Sequence, residues 1–265
     1  MPITRRTLFQ GELLRIAHVA ARPPACGSEP VEAQDCNVLV LPLAGLFAKH
    51  DRPGHHVLGT PTQAVFIEAG QPYRITYPGR IGDECLTIRF PATALPPAPA
   101  GHALLPPSLM LARSLLRRKL AAGAWDPLEV EELALRLLLA VLGSARPDSG
   151  HPRRIRQAER VKEAIAAQPE HGWTLGELAH IAGVSPWHLA RIFRAHAGES
   201  VYRHVLRARL AKALDAVLDG ADLASTALDA GFSSHSHFTA RFRSVFGMSP
   251  AQLRKNVTAP AAARH

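Results

Sequence analysis

The sequence predicts an α+β chain of two domains: an N-terminal antiparallel β-barrel with following helices, then an all-α domain of tandem helix-turn-helix units. Three observations predict it. Short apolar runs separated by turn signals fill residues 9–95. Two leucine-bearing helical stretches follow. Roughly the last hundred residues then state one short pattern twice. The boundaries read from composition are 1–95 for the β domain, 96–143 for connector and helices, 144–152 for a linker, 153–257 for the repeated helical domain and 258–265 for a disordered tail.

The β domain is justified run by run. Val38-Leu39-Val40-Leu41-Pro42-Leu43 is strand-like, and the polar stretch Lys49 to Gly54 follows it. Further runs stand at Ala64 to Ile67, Tyr73 to Thr76 and Cys85 to Phe90, separated by Gly70-Gln71-Pro72, Pro78-Gly79 and Gly82-Asp83. In the last run Leu86, Ile88 and Phe90 share one face, and Cys85, Thr87 and Arg89 the other. Regular turns every 8 to 12 residues suit a sandwich or barrel. Pro91 to Pro107 reads as a connector. The stretch 108–122 carries Arg117-Arg118-Lys119, and 127–142 is leucine-rich around most of its circumference. Such a helix buries more than one face, against the β domain or against a second copy.

The chain has 265 residues, 47% apolar, and a net charge of +9. From Arg153 onward there are 16 Lys and Arg against 9 Asp and Glu, so the basic excess sits with the repeat, where phosphate contacts use it. No apolar run of about 18 residues predicts a membrane span, and the N-terminus lacks a signal-like apolar region. Cys26, Cys36 and Cys85, odd in number and without a CxxC, read as reduced thiols of a cytoplasmic protein.

In the first copy Thr174 and Glu177 form a capping box, and Leu175, Leu178, Ala179 and Ala182 are expected to face inward. Gly183 makes the turn. Ser185 caps the next helix with Pro186 at its first position. Leu189, Ile192 and Phe193 form its buried stripe, leaving Trp187, His188, Ala190, Arg191 and Arg194 outside. Trp187 and Arg191 are one turn apart and project together, so a helix entering the major groove puts them at base edges, with Arg191 able to bind guanine bidentately.

In the second copy, about 48 residues on, Gly231 matches Gly183, Phe238 matches Leu189 and Phe242 matches Phe193. Ser234 stands at the helix start, and the outward set is His235, Ser236, Thr239, Ala240 and Arg243. Ala240 occupies the slot of Arg191, so this copy is expected to discriminate bases less by hydrogen bonding; Arg243 and Lys255 suit phosphate. Between the copies, 200–218 reads as one helix of about 28 Å, close to the roughly 34 Å between successive major-groove faces.

These residues resemble the AraC/XylS family of bacterial transcription regulators over about Arg156 to Lys255. The resemblance rests on Ala-x-x-x-Gly-x-Ser at Ala179 to Ser185, Gly-Phe-x-Ser-x-Ser-x-Phe at Gly231 to Phe238, and Gly-x-Ser-Pro at Gly247 to Pro250. The family carries an arginine where this chain has Ala240 and an aromatic near Leu253. The resemblance implies a cupin-like β domain that senses a small-molecule effector or mediates homodimerisation, with promoter DNA and RNA polymerase as partners.

No P-loop, HExxH or GxSxG supports an enzyme, and no cofactor is expected. The rival architecture, a metal-dependent cupin enzyme with a DNA-binding tail, needs a His-x-His with a following Glu. His50, His55 and His56 do not supply it. Asp83-Glu84-Cys85 and Arg74 are the candidates for lining an effector pocket. The remaining rival is an effector-independent regulator whose β domain only dimerises.

Overall fold

The computed structural model describes residues 3–23, 30–53, 55–93, 101–123, 125–145 and 151–258. Two antiparallel sheets make up the N-terminal part. The larger runs β1 (Ile3–Gln10), β2 (Arg15–Ala21), β9 (Asp83–Phe90), β4 (Asn37–Gly45), β7 (Gln63–Ile67) and β10 (His102–Leu104) in spatial order. The smaller runs β3 (Val31–Glu32), β8 (Tyr73–Thr76), β5 (Phe47–Arg52) and β6 (His55–Gly59). They are two hydrogen-bonded layers rather than a closed ring. β4 is buried on both faces, which is why it reads as an unbroken apolar run. Its Leu39, Leu41 and Leu43 meet the helices, while Val38 and Val40 point between the sheets. β9 alternates as the sequence predicts, with Leu86, Ile88 and Phe90 toward the helices and Cys85 between the sheets.

Two segments depart from the sequence reading. The polar stretch from Lys49 is largely strand β5, because each polar group has a private partner. Lys49 Nζ donates to the Phe66 carbonyl at 3.0 Å, His50 Nε2 lies 2.8 Å from Thr76 Oγ1, and Asp51 Oδ1 is 2.7 Å from His55 Nδ1. Burial lowers the Lys49 pKa against the pull of Asp51 and Glu68. The connector also contains β10, whose backbone pairs with β7. The rest of that connector from 94 to 100, residues 146–150 of the expected linker, Cys26, and the expected tail from 259 onward lie outside the described residues.

Helices α1 (Pro107–Ala122) and α2 (Pro127–Ser144) cover the outer face of the larger sheet. α2 starts at an Asp126 cap that accepts from the Glu129 amide at 3.1 Å. Arg113 of α1 is fully buried; its Nη1 donates to the carbonyl of Pro42, beside a β-bulge, and to that of Pro61 at 2.9 Å. No helix among the described residues is long and apolar enough to cross a membrane.

Seven further helices follow among the described residues: α3 (Pro152–Ala167), α4 (Leu175–Ala182), α5 (Pro186–Ala197), α6 (Val201–Leu218), α7 (Leu223–Asp229), α8 (His235–Phe246) and α9 (Pro250–Thr258). Their cores are not equivalent. Ala158, Val161, Ile165, Leu178, Leu189, Phe193 and Val201 form a separate cluster from α3, α4, α5 and the start of α6. Leu210, Leu214, Val217, Phe238, Phe242 and Leu253 instead belong to the same core as Leu116 and Leu120 of α1 and Leu137, Leu138 and Val141 of α2. Charges close that seam: Arg117 reaches Asp215 at 3.0 Å and Asp219 at 2.6 Å, and Arg118 donates to the Leu218 carbonyl.

Candidate nucleic-acid interface

The first unit is built by local rules that the sequence carries openly. Thr174 Oγ1 accepts from the Glu177 amide at 3.2 Å, and Glu177 Oε2 accepts from the Thr174 amide at 2.8 Å, completing the capping box. α4 ends at Gly183, whose φ of +68° is left-handed. Ser185 Oγ accepts from the His188 amide at 3.3 Å and opens α5, with Pro186 at its first turn. Leu189, Ile192 and Phe193 are buried below.

The outward face follows from that stripe. Trp187 is 84% exposed, an unusual position for so large an apolar ring. Ser185, Pro186, Ala190, Arg191 and Arg194 are exposed as well, while His188 is half-buried. Arg191 Nη2 lies 3.3 Å from His188 Nδ1, so the imidazole steadies the guanidinium beside the indole. One inward expectation is corrected: Leu175 is 42% exposed, since the first helical residue precedes the packing face.

α5 is braced from behind. Glu159 of α3 is buried between Lys162 Nζ at 2.8 Å and His196 Nε2 of α5 at 2.7 Å. Burial works against this carboxylate, but Lys162 and the His196 hydrogen bond outweigh it and hold its pKa well below the usual range. Glu199 does similar work at the α5–α6 junction, meeting His204 Nδ1 at 2.8 Å and Arg207.

The second unit repeats the plan with changes. Asp222 caps α7 by accepting from the Ser225 amide at 2.8 Å, and Ser234 caps α8 by accepting from the His237 amide at 3.1 Å. Five residues (230–234) separate the helices where the first unit has three (183–185). Ser234, His235, Ser236, Ala240 and Arg243 are exposed. Thr239 departs from its expected outward placement. It is half-buried, with its hydroxyl out of solvent, because it sits one step from Phe238 at the edge of the buried stripe.

Two contacts between the units lie off the repeated pattern. The Arg241 guanidinium stands 5.9 Å from the centre of the Tyr202 ring, joining α8 to α6. At Gly231, φ +84°, an added Cβ would fall 2.5 Å from the backbone of Glu170. α6 itself, with 18 residues, spans about 27 Å.

A cavity of about 100 Å³ lies between the sheets, with Val38, Phe47, Tyr73, Asp83, Cys85 and Thr87 in its lining. The Cys85 thiol donates to Asp83 Oδ2 at 2.7 Å. Burial pushes the Asp83 carboxyl up to about 6, against the hydrogen bonds from Cys85 and Tyr77. Of the other expected lining residues, Arg74 is exposed outside, and Glu84 faces a separate cleft of about 430 Å³ beside α1 and α6. Among the described residues no group of three or more His, Cys, Asp and Glu side chains is arranged to hold a metal ion. Cys36 and Cys85 are free thiols.

Two capped helix-turn-helix units on one connecting helix, preceded by paired β-sheets and two helices, define a two-part regulator. A model of the AraC-binding-like domain matches residues 9–164 and a helix-turn-helix domain model matches 178–256. The chain belongs to the AraC family of transcription regulators. A relative from Proteus vulgaris, the probable transcription factor PqrA, is 34% identical over 94 residues, covering 35% of this chain and 77% of its own. An uncharacterized HTH-type transcriptional regulator of Haemophilus influenzae is 33% identical over 96 residues, covering 36% of this chain and 32% of its own. Several curated relatives are thus matched over about a third of their length. The solved structure of ToxT from Vibrio cholerae aligns with 94% of this chain and all of its own at 9% identity, with a TM-score of 0.38.

Proposed function

We propose that this cytoplasmic protein regulates transcription by binding promoter DNA sequence-specifically and is not an enzyme. In this reading α5 enters one major groove and α8 the next, and both act with RNA polymerase at the promoter. The observation that carries it is the exposed, firmly capped α5, with Trp187 and Arg191 one turn apart on its free face. No structural role explains a tryptophan so exposed beside an arginine without an acidic partner. Arg191 reads a base, Trp187 packs on the groove wall, and Arg243 holds phosphate.

Arg191→Ala is expected to cost about 1–3 kcal/mol at one base pair and to relax the preference there. Arg243→Gln is expected to weaken all sequences alike and to lower the salt slope by about 0.9. Competition binding against a library of single-base operator variants checks both. Unchanged base preference in the first variant would remove Arg191 from base reading.

The β domain supplies control in this reading, through a small effector in the cavity at Asp83 and Cys85 and through homodimerisation along α2. There Leu128 is 74% and Leu139 52% exposed, which supports an apolar contact with a second copy. Sedimentation at micromolar concentration is expected to give a dimer, and a screen of small polar compounds to raise the Tm. A monodisperse monomer removes the dimer; a flat Tm series removes the effector.

A further inference from the structure

α3 begins with four arginines in nine residues, Arg153, Arg154, Arg156 and Arg160, and none of them has a structural task. All four are exposed and make no side-chain hydrogen bond or ion pair among the described residues. Several other arginines do have such tasks: Arg89 meets Asp35, Arg117 meets Asp215 and Asp219, and Arg209 holds the Pro169 and His171 carbonyls.

Two of them, Arg153 and Arg154, stand in the first turn, where a cation works against the helix. The N-terminal turns carry the positive pole of the helix dipole, where acidic residues are favoured. α2 and α4 follow that rule with Glu129 and Glu177, while α3, like the remaining helices, has no acidic residue in its first turn to offset the arginines. Neither the helix dipole nor any contact among the described residues accounts for these cations. An incoming anion would be drawn by the guanidinium groups and the helix terminus together.

Geometry narrows the partner. At 100° per residue, Arg153, Arg156 and Arg160 fall within a sector of about 60° and extend along about 10 Å of helix. That is the axial span of about three nucleotides of one DNA strand. The helix that carries the strip packs directly on α5, where Glu159 bonds His196 in the last turn.

We propose that this face of α3 is a third DNA-binding surface, gripping backbone phosphates that flank the two major grooves. The proposal rests on the DNA-binding reading above. It makes α3, outside both helix-turn-helix units, a contributor to affinity but not to base choice.

The test uses the full chain and the triple variant Arg153→Gln, Arg156→Gln, Arg160→Gln. The probes are duplexes selected from a random pool by the wild type, made as the core site alone and with about 10 added base pairs on each side. Affinities are measured by anisotropy across a potassium chloride series. The wild type is expected to prefer the longer duplex, and the variant to lose that preference with a salt slope smaller by about 2.7. Its Tm is expected to hold, since the three side chains are exposed and make no contact among the described residues.

An unchanged slope with an unchanged length preference overturns the proposal, and so does a lowered Tm, which would make the arginines structural. Unaltered DNA binding with a loss of transcription would assign the strip to an acidic protein partner instead. A wild type that selects no duplex at all defeats the underlying DNA reading, a result distinct from either.

Discussion

Gly231→Ala is expected to destabilise the protein by about 2–5 kcal/mol, while Gly183→Ala costs about 1–2. The two glycines hold matching places in the two units, and both are left-handed, with φ of +84° and +68°. A left-handed alanine costs about 1–2 kcal/mol at either place. Only Gly231 adds a collision, because its Cβ would lie 2.5 Å from the backbone of Glu170, whereas nothing approaches Gly183 within 4 Å. The Glu170 loop is not free to retreat. Arg209 holds the carbonyls on either side at 2.9 and 2.8 Å, and Lys212 pairs with Glu170 at 2.8 Å. Forcing such a contact costs a further 1–3 kcal/mol or so. Urea denaturation of both variants checks the difference, and equal losses would show that the close approach carries no energy.

Phe242→Ala is expected to cost about 3–5 kcal/mol, the usual toll for emptying a buried aromatic site. Phe242 is fully buried in a chain of rings, 5.5 Å from Phe238 and 4.5 Å from Phe246. It shares one apolar core with α1 and α2, so hydrogen exchange is expected to quicken there as well as in α8, and to spare α4. Phe193→Ala, in the other core, should reverse the pattern. If Phe242→Ala loosened only residues 223–258, the second unit would not be energetically joined to the helices of the β domain.

What the sequence made legible is what adjacent residues decide. The Thr174–Glu177 capping box, the serine caps of α5 and α8 and the alternation of β9 depend on spacings within a few positions. Their geometry appears as the spacing predicts. Features set by distant partners were not legible. β5 hid behind charged residues whose partners, the Phe66 carbonyl and Thr76, lie far along the chain. Gly231 reads as a turn glycine, and only the fold brings Glu170 against it. Thr239 and Leu175 show the limit of helical phase. A residue at the margin of a stripe, or in the first turn before it, is settled by its neighbours in space.

The two cores meet in the middle of α6. Val201 and Val205 belong to the first, and Leu210, Leu214 and Val217 to the second. One uninterrupted helix is thus shared by two cores, its front half packed with the first unit and its back half with the second unit and the helices that follow the β-sheets. The spacing of the two units is therefore set by α6, and the handover between the cores falls in the short stretch between residues 205 and 210. Anything that bends or frays that stretch changes the distance between the two units.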